Sequence, residues 1–289
     1  MTIQPFTDSH DLLPSAADLH TQMKQDSYLF ISGLIPHAQI DQVYSAIMQV
    51  CRQEGWVDAR DRAQGNTVVE GDEAFWAVYD PLQKLACFHA LAHQPQILKV
   101  IEALVQETPF VHPRNIARIT YPQTAHFTTP PHQDFVHIQG TAETYTVWFP
   151  LSDCPRELGN LEVLAGSHTQ SILPVHRAAG AGGLGVDADN LGLTWRGGDF
   201  AAGDVLIFHS HTVHRAIPNR TKDQLRISVD YRYQGVSQPI VADGLLPHYN
   251  RLTWDEIYAD WTRPELQYYW RDLKLKVVER DRSYHQNAR

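Results

Sequence analysis

His132 and Asp134 stand two residues apart in the run Pro131-His132-Gln133-Asp134-Phe135. On an extended strand the side chains at i and i+2 leave from the same face, so an imidazole and a carboxylate point to one side here. A second imidazole on a neighbouring strand would complete a three-donor face around one metal ion. Two His and one carboxylate leave about three positions of an octahedron open, the arrangement that suits non-haem Fe(II). Three histidines downstream, His209, His211 and His214, compete for the third place, and the residues alone do not rank them. They follow a Gly203-Asp204 turn and the apolar strand Val205-Leu206-Ile207-Phe208. Further on, Gln224-Leu225-Arg226-Ile227-Ser228-Val229-Asp230-Tyr231 alternates polar and apolar, which sets Arg226 and Ser228 on one face.

The elements that must position these groups change character along the chain. From Phe110 onward, short β-type runs separated by turn residues predict strands over Asn115–Tyr121, Thr144–Phe149, Leu161–Leu164, Gly192–Arg196, Asp204–Phe208 and Leu225–Gln234. Such spacing predicts a sandwich or barrel. The N-terminal region is helical. Ser15 is a candidate N-cap for a helix to Gln25, and Tyr28–Ile31 reads as a strand. Pro36 opens a helix whose Ile40, Val43, Tyr44, Ile47, Met48 and Cys51 follow the i, i+3, i+4 stripe. Asp80-Pro81 looks like the start of a helix to about His93, and Pro95 starts another carrying Ile97, Leu98, Ile101, Leu104 and Val105. Trp254, Tyr258 and Trp261 have helical spacing and are expected to pack back on the domain. Ala178 to Gly185 holds four glycines in eight residues, a flexible loop that is either a lid or an insertion without a role.

Composition narrows the partners. The formal net charge is −9 with no Lys/Arg run, which argues against nucleic acid and membrane surfaces, both of which need a basic footprint. Cys51, Cys87 and Cys154 are too few and too scattered for a disulfide framework. No signal peptide and no apolar stretch long enough to span a bilayer are read, so the expectation is a soluble cytoplasmic protein, a monomer or homodimer with a small-molecule substrate.

The downstream block carries a family resemblance. Gly203-Asp204, His209 six residues after that Gly, His214 eleven after it, Asn219 five beyond and then Arg226 resemble the phytanoyl-CoA dioxygenase family of Fe(II)/2-oxoglutarate-dependent oxygenases. Pro131-His132-Gln133-Asp134-Phe135, Tyr145-Thr146-Val147-Trp148-Phe149-Pro150-Leu151, Gly159-Asn160-Leu161 and Gly166-Ser167-His168 fit the same order. The likeness runs from roughly Gln25 to Gln234. One departure is that Arg226 sits twelve residues after His214, where members often show eleven. The extra residue falls in Thr221-Lys222-Asp223, a turn by composition.

The resemblance implies a mainly β fold with flanking helices and a double-stranded β-helix (jelly-roll, cupin-like) core. It implies one domain over 1–289: a helical N-terminal segment over 1–109, the core about 110–235 and a C-terminal extension over 236–289. It selects His214 as the distal ligand, so that His132, Asp134 and His214 hold Fe(II). 2-Oxoglutarate and O2 are the cosubstrates. Arg226 would grip the far carboxylate of 2-oxoglutarate with the planar fork that Lys lacks, with Ser228 or Thr146 adding a hydroxyl. Asp134 fills a position that related halogenases leave small, which favours hydroxylation, or another oxidation begun by hydrogen abstraction, over chlorination. His126, His137, Arg114 and Arg118 lie beside the metal motif and are candidates to meet a polar or anionic substrate. The expected substrate is a small molecule of secondary metabolism, lined by loops such as Gly55–Asp72 and Ser171–Asp199. The rival readings are a fatty acyl-CoA hydroxylase and a non-catalytic jelly-roll metal-binding protein. A Zn hydrolase or cupin-type isomerase with the same ligands is disfavoured by Arg226 and Asn219.

Overall fold

The computed structural model describes residues 3–123, 127–286 and 288. Helices dominate the first third: α1 Ala16–Asp26, α2 His37–Gln53, α3 Glu73–Gln83, α4 Ala86–Leu91 and α5 Pro95–Val105, with strand β1 Tyr28–Ile31 after α1. The Ser15 hydroxyl accepts from the Asp18 N–H at 3.2 Å and caps α1 as expected. Pro36 is the cap residue of α2, which buries Ile40, Val43, Ile47, Met48 and Cys51.

One helix boundary departs from expectation. Asp80 and Pro81 do not start a helix; they lie in the last turns of α3, and the chain breaks before α4. Phe75, Val78, Tyr79 and Leu82 form a buried i, i+3, i+4 stripe across the proline. Near a helix end Pro81 costs only one backbone bond, to the carbonyl four residues back, and burial of that stripe outweighs it.

The strands follow: β2 Pro109–Val111, β3 Ile116–Thr120, β4 His132–Gln133, β5 Thr144–Pro150, β6 Leu161–Leu164, β7 Val175–Arg177, β8 Leu184–Val186, β9 Trp195–Arg196, β10 Val205–His209, β11 Val213–Ala216, β12 Arg226–Gly235, β13 Ile240–Val241 and β14 Val277–Val278. Short helices α6 Phe135–Ile138, α7 Trp254–Tyr258 and α8 Ser283–Gln286 complete the chain. The larger sheet runs β1-β10-β5-β12-β2, with β3 also paired to β12; a second sheet runs β4-β11-β6-β9. The fold is mostly sheet with helices.

The long strand β12 joins core to site. Ile227, Val229, Tyr231 and Tyr233 face the core that includes α2 to α5. Ile227 and Val229 each contribute roughly 2 kcal/mol by leaving water. The Tyr231 and Tyr233 hydroxyls donate to the Phe88 and Ala92 carbonyls, both at 2.7 Å, tying the sheet to α4. With a period of two, the opposite face presents Arg226, Ser228, Asp230, Arg232 and Gln234, all buried. At the other end of the chain Trp254 and Tyr258 pack with Phe110, Ile240 and Trp270, with Trp261 at the margin, so the aromatic tail folds back as expected. Among the described residues no helix is long and apolar enough to cross a membrane.

Candidate metal centre

His132 and His214 lie directly opposite each other in the antiparallel β4–β11 pair, with ring centroids 4.1 Å apart. Asp134 follows β4 by one residue, where the chain turns into α6. Its Oδ1 lies 3.6 Å from His132 Nε2 and 3.8 Å from His214 Nε2. Among the described residues, this is the group whose donor atoms, all within 4.8 Å of one another, could hold a metal ion. His209 and His211 are elsewhere: their rings lie 5.2 Å apart, and His209 faces the Glu143 carboxylate at 3.7 Å.

The same local device aims both imidazoles. His132 Nδ1 bonds the Pro130 carbonyl at 2.9 Å, and His214 Nδ1 bonds the Thr212 carbonyl at 3.0 Å. Each carbonyl belongs to the residue two back and accepts the ring N–H, which leaves Nε2 as a lone-pair donor toward the shared space. Asp134 is fixed likewise. The Thr146 hydroxyl donates to its Oδ2 at 2.5 Å, leaving Oδ1 toward the imidazoles. Burial by itself would raise the Asp134 pKa, but the Arg232 guanidinium and the two imidazoles hold it well below the usual range. Burial first, then the closeness of the His132 ring and the Arg232 guanidinium, pushes His214 down to about 3. Two lone-pair nitrogens and an ionised carboxylate are a fitting donor set for a divalent ion of the iron type.

Arg226 lies beside this centre, 5% exposed. It donates to Ser228 Oγ at 2.8 Å and to Thr120 Oγ1 at 2.6 Å. Ser228 also accepts from Trp148 Nε1 at 3.1 Å, so the fully buried Trp148 helps to orient the arginine. Arg226 Nε is buried with no partner, and among the described residues no carboxylate forms an ion pair with it. A buried guanidinium without a counter-ion is expensive unless an anion arrives. Arg226 and the three donor residues line one small cavity of about 40 Å³, with Thr146 and Trp148 on its wall.

A second cavity of about 270 Å³ is also lined by His132 and Asp134. Arg114, Arg118 and His137 line it, so these three candidates do reach the site. His126 lies outside the described residues. Arg118 is committed to structure, donating to Asp230 at 3.0 Å and Glu70 at 3.3 Å. Ala181 and Gly182 of the glycine-rich loop form part of the wall, so that loop is not a remote insertion. Gly180 explains the composition: at φ +107 its Cα passes so close to the Thr128 carbonyl that any Cβ would overlap it. Of the loops expected to line the site, 55–72 supplies Glu70. The tail supplies Arg280, which donates to the His137 carbonyl and to Asp243, both at 2.8 Å.

Sequence reading missed Arg232. It is 8% exposed, faces Asp134 Oδ1 at 3.6 Å and is paired in register with Thr146. The alternation that puts Arg226 and Ser228 on one face extends to position 232 and is the signal that could have found it.

The sequence profile of the phytanoyl-CoA dioxygenase (PhyH) family matches residues 23–228. The chain belongs to that family. It is an Fe(II)/2-oxoglutarate-dependent oxygenase. It is 25% identical over 261 residues to the 1-deoxypentalenic acid 11-beta-hydroxylase of Streptomyces exfoliatus, covering 85% of this chain and 90% of that one. The fold is shared with the α-ketoglutarate-dependent epimerase SnoN of nogalamycin biosynthesis, solved with Fe3+ and α-ketoglutarate (TM-score 0.57, 19% identity, 78% of this chain and 85% of that one). It is also shared with the carbocyclase SnoK of the same biosynthesis (TM-score 0.55, 21% identity, 82% and 90%).

Proposed function

We propose that His132, Asp134 and His214 hold the iron and that Arg226 holds the far carboxylate of 2-oxoglutarate. The protein then hydroxylates, or otherwise oxidises by hydrogen abstraction, a small organic molecule of secondary metabolism. The observation that carries this reading is the convergence of two Nε2 atoms and one carboxylate oxygen within 4.8 Å, each left toward the centre because its companion atom is bonded elsewhere.

Bound there, iron and 2-oxoglutarate supply the oxidising chemistry, with 2-oxoglutarate and O2 ending as succinate and CO2. The protein's own contribution is positional. The Pro130 and Thr212 carbonyls keep each imidazole in the tautomer that offers Nε2. Thr146 steers Asp134 so that one oxygen stays toward the centre. Ser228 and Thr120 hold the Arg226 fork in the plane a carboxylate needs. The substrate enters through the larger cavity, whose wall includes the glycine-rich loop and the tail. We read the two facing sheets as a double-stranded β-helix and the whole chain as one domain, with the tail an integral wall. The Streptomyces relative is named for a small carboxylic acid, and a cavity of about 270 Å³ suits a molecule of that size better than an acyl-CoA.

The test is anaerobic reconstitution with Fe(II) and 2-oxoglutarate, followed by the weak visible charge-transfer band of the chelate, which needs open coordination positions. His132→Ala, Asp134→Ala and His214→Ala should each abolish the band and succinate formation, while His211→Ala keeps both. Loss with His211→Ala and retention with His214→Ala would overturn the ligand assignment.

A further inference from the structure

The larger cavity has four guanidinium groups on its wall: Arg114, Arg118, Arg232 and Arg280. They are not equivalent. Arg118 is matched by Asp230 and Glu70, and Arg280 by Asp243. Arg114 donates to neutral groups, the carbonyls of Asp243, Leu246 and Pro247 at 3.2, 3.3 and 2.9 Å. Arg232 has still less. Among the described residues its neighbouring carboxylate is Asp134, Oδ1 at 3.6 Å, beyond hydrogen-bond length, and that oxygen is the one proposed for iron. Arg232 Nε is buried with no partner at all.

Among the described residues, two guanidinium groups on this wall therefore have no carboxylate within hydrogen-bond distance, in a chain whose net charge is −9. Burying a charge without a hydrogen-bonded counter-ion is costly, and such an arrangement persists where an incoming anion completes it. The remaining wall is apolar in places, with Ile116, Ile138, Ile240 and the Tyr249 ring. Strand β12 repeats the arrangement along one face: Arg226, its first residue, and Arg232, six residues on, lie on either side of Asp230, which is already taken by Arg118.

We propose that the larger cavity takes a small, largely hydrocarbon substrate carrying one carboxylate, and that Arg232, assisted by Arg114, is its anchor. This rests on the reading that iron sits among His132, Asp134 and His214 and that Arg226, not Arg232, binds 2-oxoglutarate. One strand thus supplies an anchor for each of the two anions, cosubstrate at one end and substrate at the other.

The experiment is calorimetric titration of the anaerobic Fe(II) protein, saturated with 2-oxoglutarate. The titrants are cyclohexane-, bicyclo[2.2.2]octane- and adamantane-1-carboxylate, each against its primary amide, which has the same shape without the charge. At least one acid should bind about tenfold or more tightly than its amide, the worth of a charge-assisted hydrogen bond. Arg232→Gln should bring that pair to parity, and Arg232→Lys should restore part of the preference. Arg226→Gln should instead weaken 2-oxoglutarate. If no acid in the panel outbinds its amide in the wild-type protein, or if the preference survives Arg232→Gln, the anchor does not exist. If Arg232→Gln rather than Arg226→Gln is what weakens 2-oxoglutarate, the cosubstrate assignment itself is wrong.

Discussion

Replacing Arg226 by Met removes a buried charge beside the proposed iron site that has no counter-ion among the described residues, and it should move stability and function in opposite directions. Arg226 is 5% exposed, burial and then the Arg118 charge lower its pKa, and it donates to the Ser228 and Thr120 hydroxyls. Two hydrogen bonds from a charged donor return about 1.5–3 kcal/mol each. The desolvation of a buried ion costs several kcal/mol, and swapping such a group for an apolar one of similar volume is often neutral or stabilising by about 1–4 kcal/mol. The Ser228 hydroxyl would not be stranded, because Trp148 still donates to it. Without 2-oxoglutarate, Arg226→Met should therefore unfold at the wild-type temperature or a few degrees above it. With 2-oxoglutarate at a hundred times its Kd, the wild type gains about 2.7 kcal/mol. The variant should gain less than about 1 kcal/mol at the same concentration, since losing one partner of a buried charge pair costs about 2–5 kcal/mol, a factor of roughly 30 to 5,000 in Kd. The assay is anaerobic thermal unfolding with Fe(II), with and without 2-oxoglutarate, alongside succinate formation. A variant that unfolds well below wild type yet keeps its full 2-oxoglutarate shift would show that Arg226 is a structural residue, and the reasoning would fail.

Thr146→Val deletes the 2.5 Å bond to Asp134 Oδ2 without changing the volume much; iron affinity should fall about 10–100-fold, the usual cost of losing an outer partner of a ligand, and Thr146→Ser should recover most of it. Equal iron affinity in all three proteins would rule that role out. His89 and His112 are buried, His112 on the wall of the larger cavity, and are pushed down to about 4 and about 3, chiefly by burial. Below the ordinary His value the unfolded chain takes up protons that these two rings refuse, so each removes about 1.4 kcal/mol of stability per pH unit as pH falls from about 6.5 toward 4. Unfolding of His112→Gln should depend less steeply on pH over that window; an unchanged slope would contradict the assignment. Gly180→Ala forces a Cβ onto the Thr128 carbonyl and should lift the glycine-rich loop off the cavity wall. Faster limited proteolysis within residues 178–185 is the expected readout, and an unchanged cleavage rate would show that the loop absorbs the strain.

How legible the molecule is in its sequence depends on how local each cause is. Strands such as Thr144–Pro150, Leu161–Leu164 and Arg226–Gly235 carry their signal in their own side chains, and their bounds lie within a residue or so of expectation. The extended reading of 132–134 holds only to Gln133, because Asp134 already turns into α6, and residues 213–216 are extended through pairing with β4 and β6 rather than by a signal of their own. The dipeptide Asp80-Pro81 misleads because its turn-type composition is a local signal, whereas the buried stripe that runs through it draws its strength from tertiary packing. Among site residues, His132, Asp134 and His214 come together as the pattern suggests, yet the means of aiming them, the carbonyls of Pro130 and Thr212 and the hydroxyl of Thr146, depends on backbone geometry that spacing does not encode. Thr146, expected beside Arg226 as a cosubstrate hydroxyl, lines the same small cavity, but its hydroxyl is given to Asp134.

Strand β12 shows what a stricter use of periodicity yields. Its inner face reads Arg226, Ser228, Asp230, Arg232, Gln234, an almost wholly polar face on a strand whose outer face is Ile, Val, Tyr, Tyr. A strand buried on both sides ordinarily reads as a continuous apolar run. When every second residue of a buried strand is polar or charged, those groups must be matched by neighbours or by ligands. Asp230 is matched by Arg118, Ser228 by Trp148 and Arg226, and Gln234 by His112. Subtracting those pairs leaves the two arginines, each with a buried Nε that has no partner. On the proposed reading the cosubstrate accounts for Arg226, and Arg232 is the reason to look for a second anion.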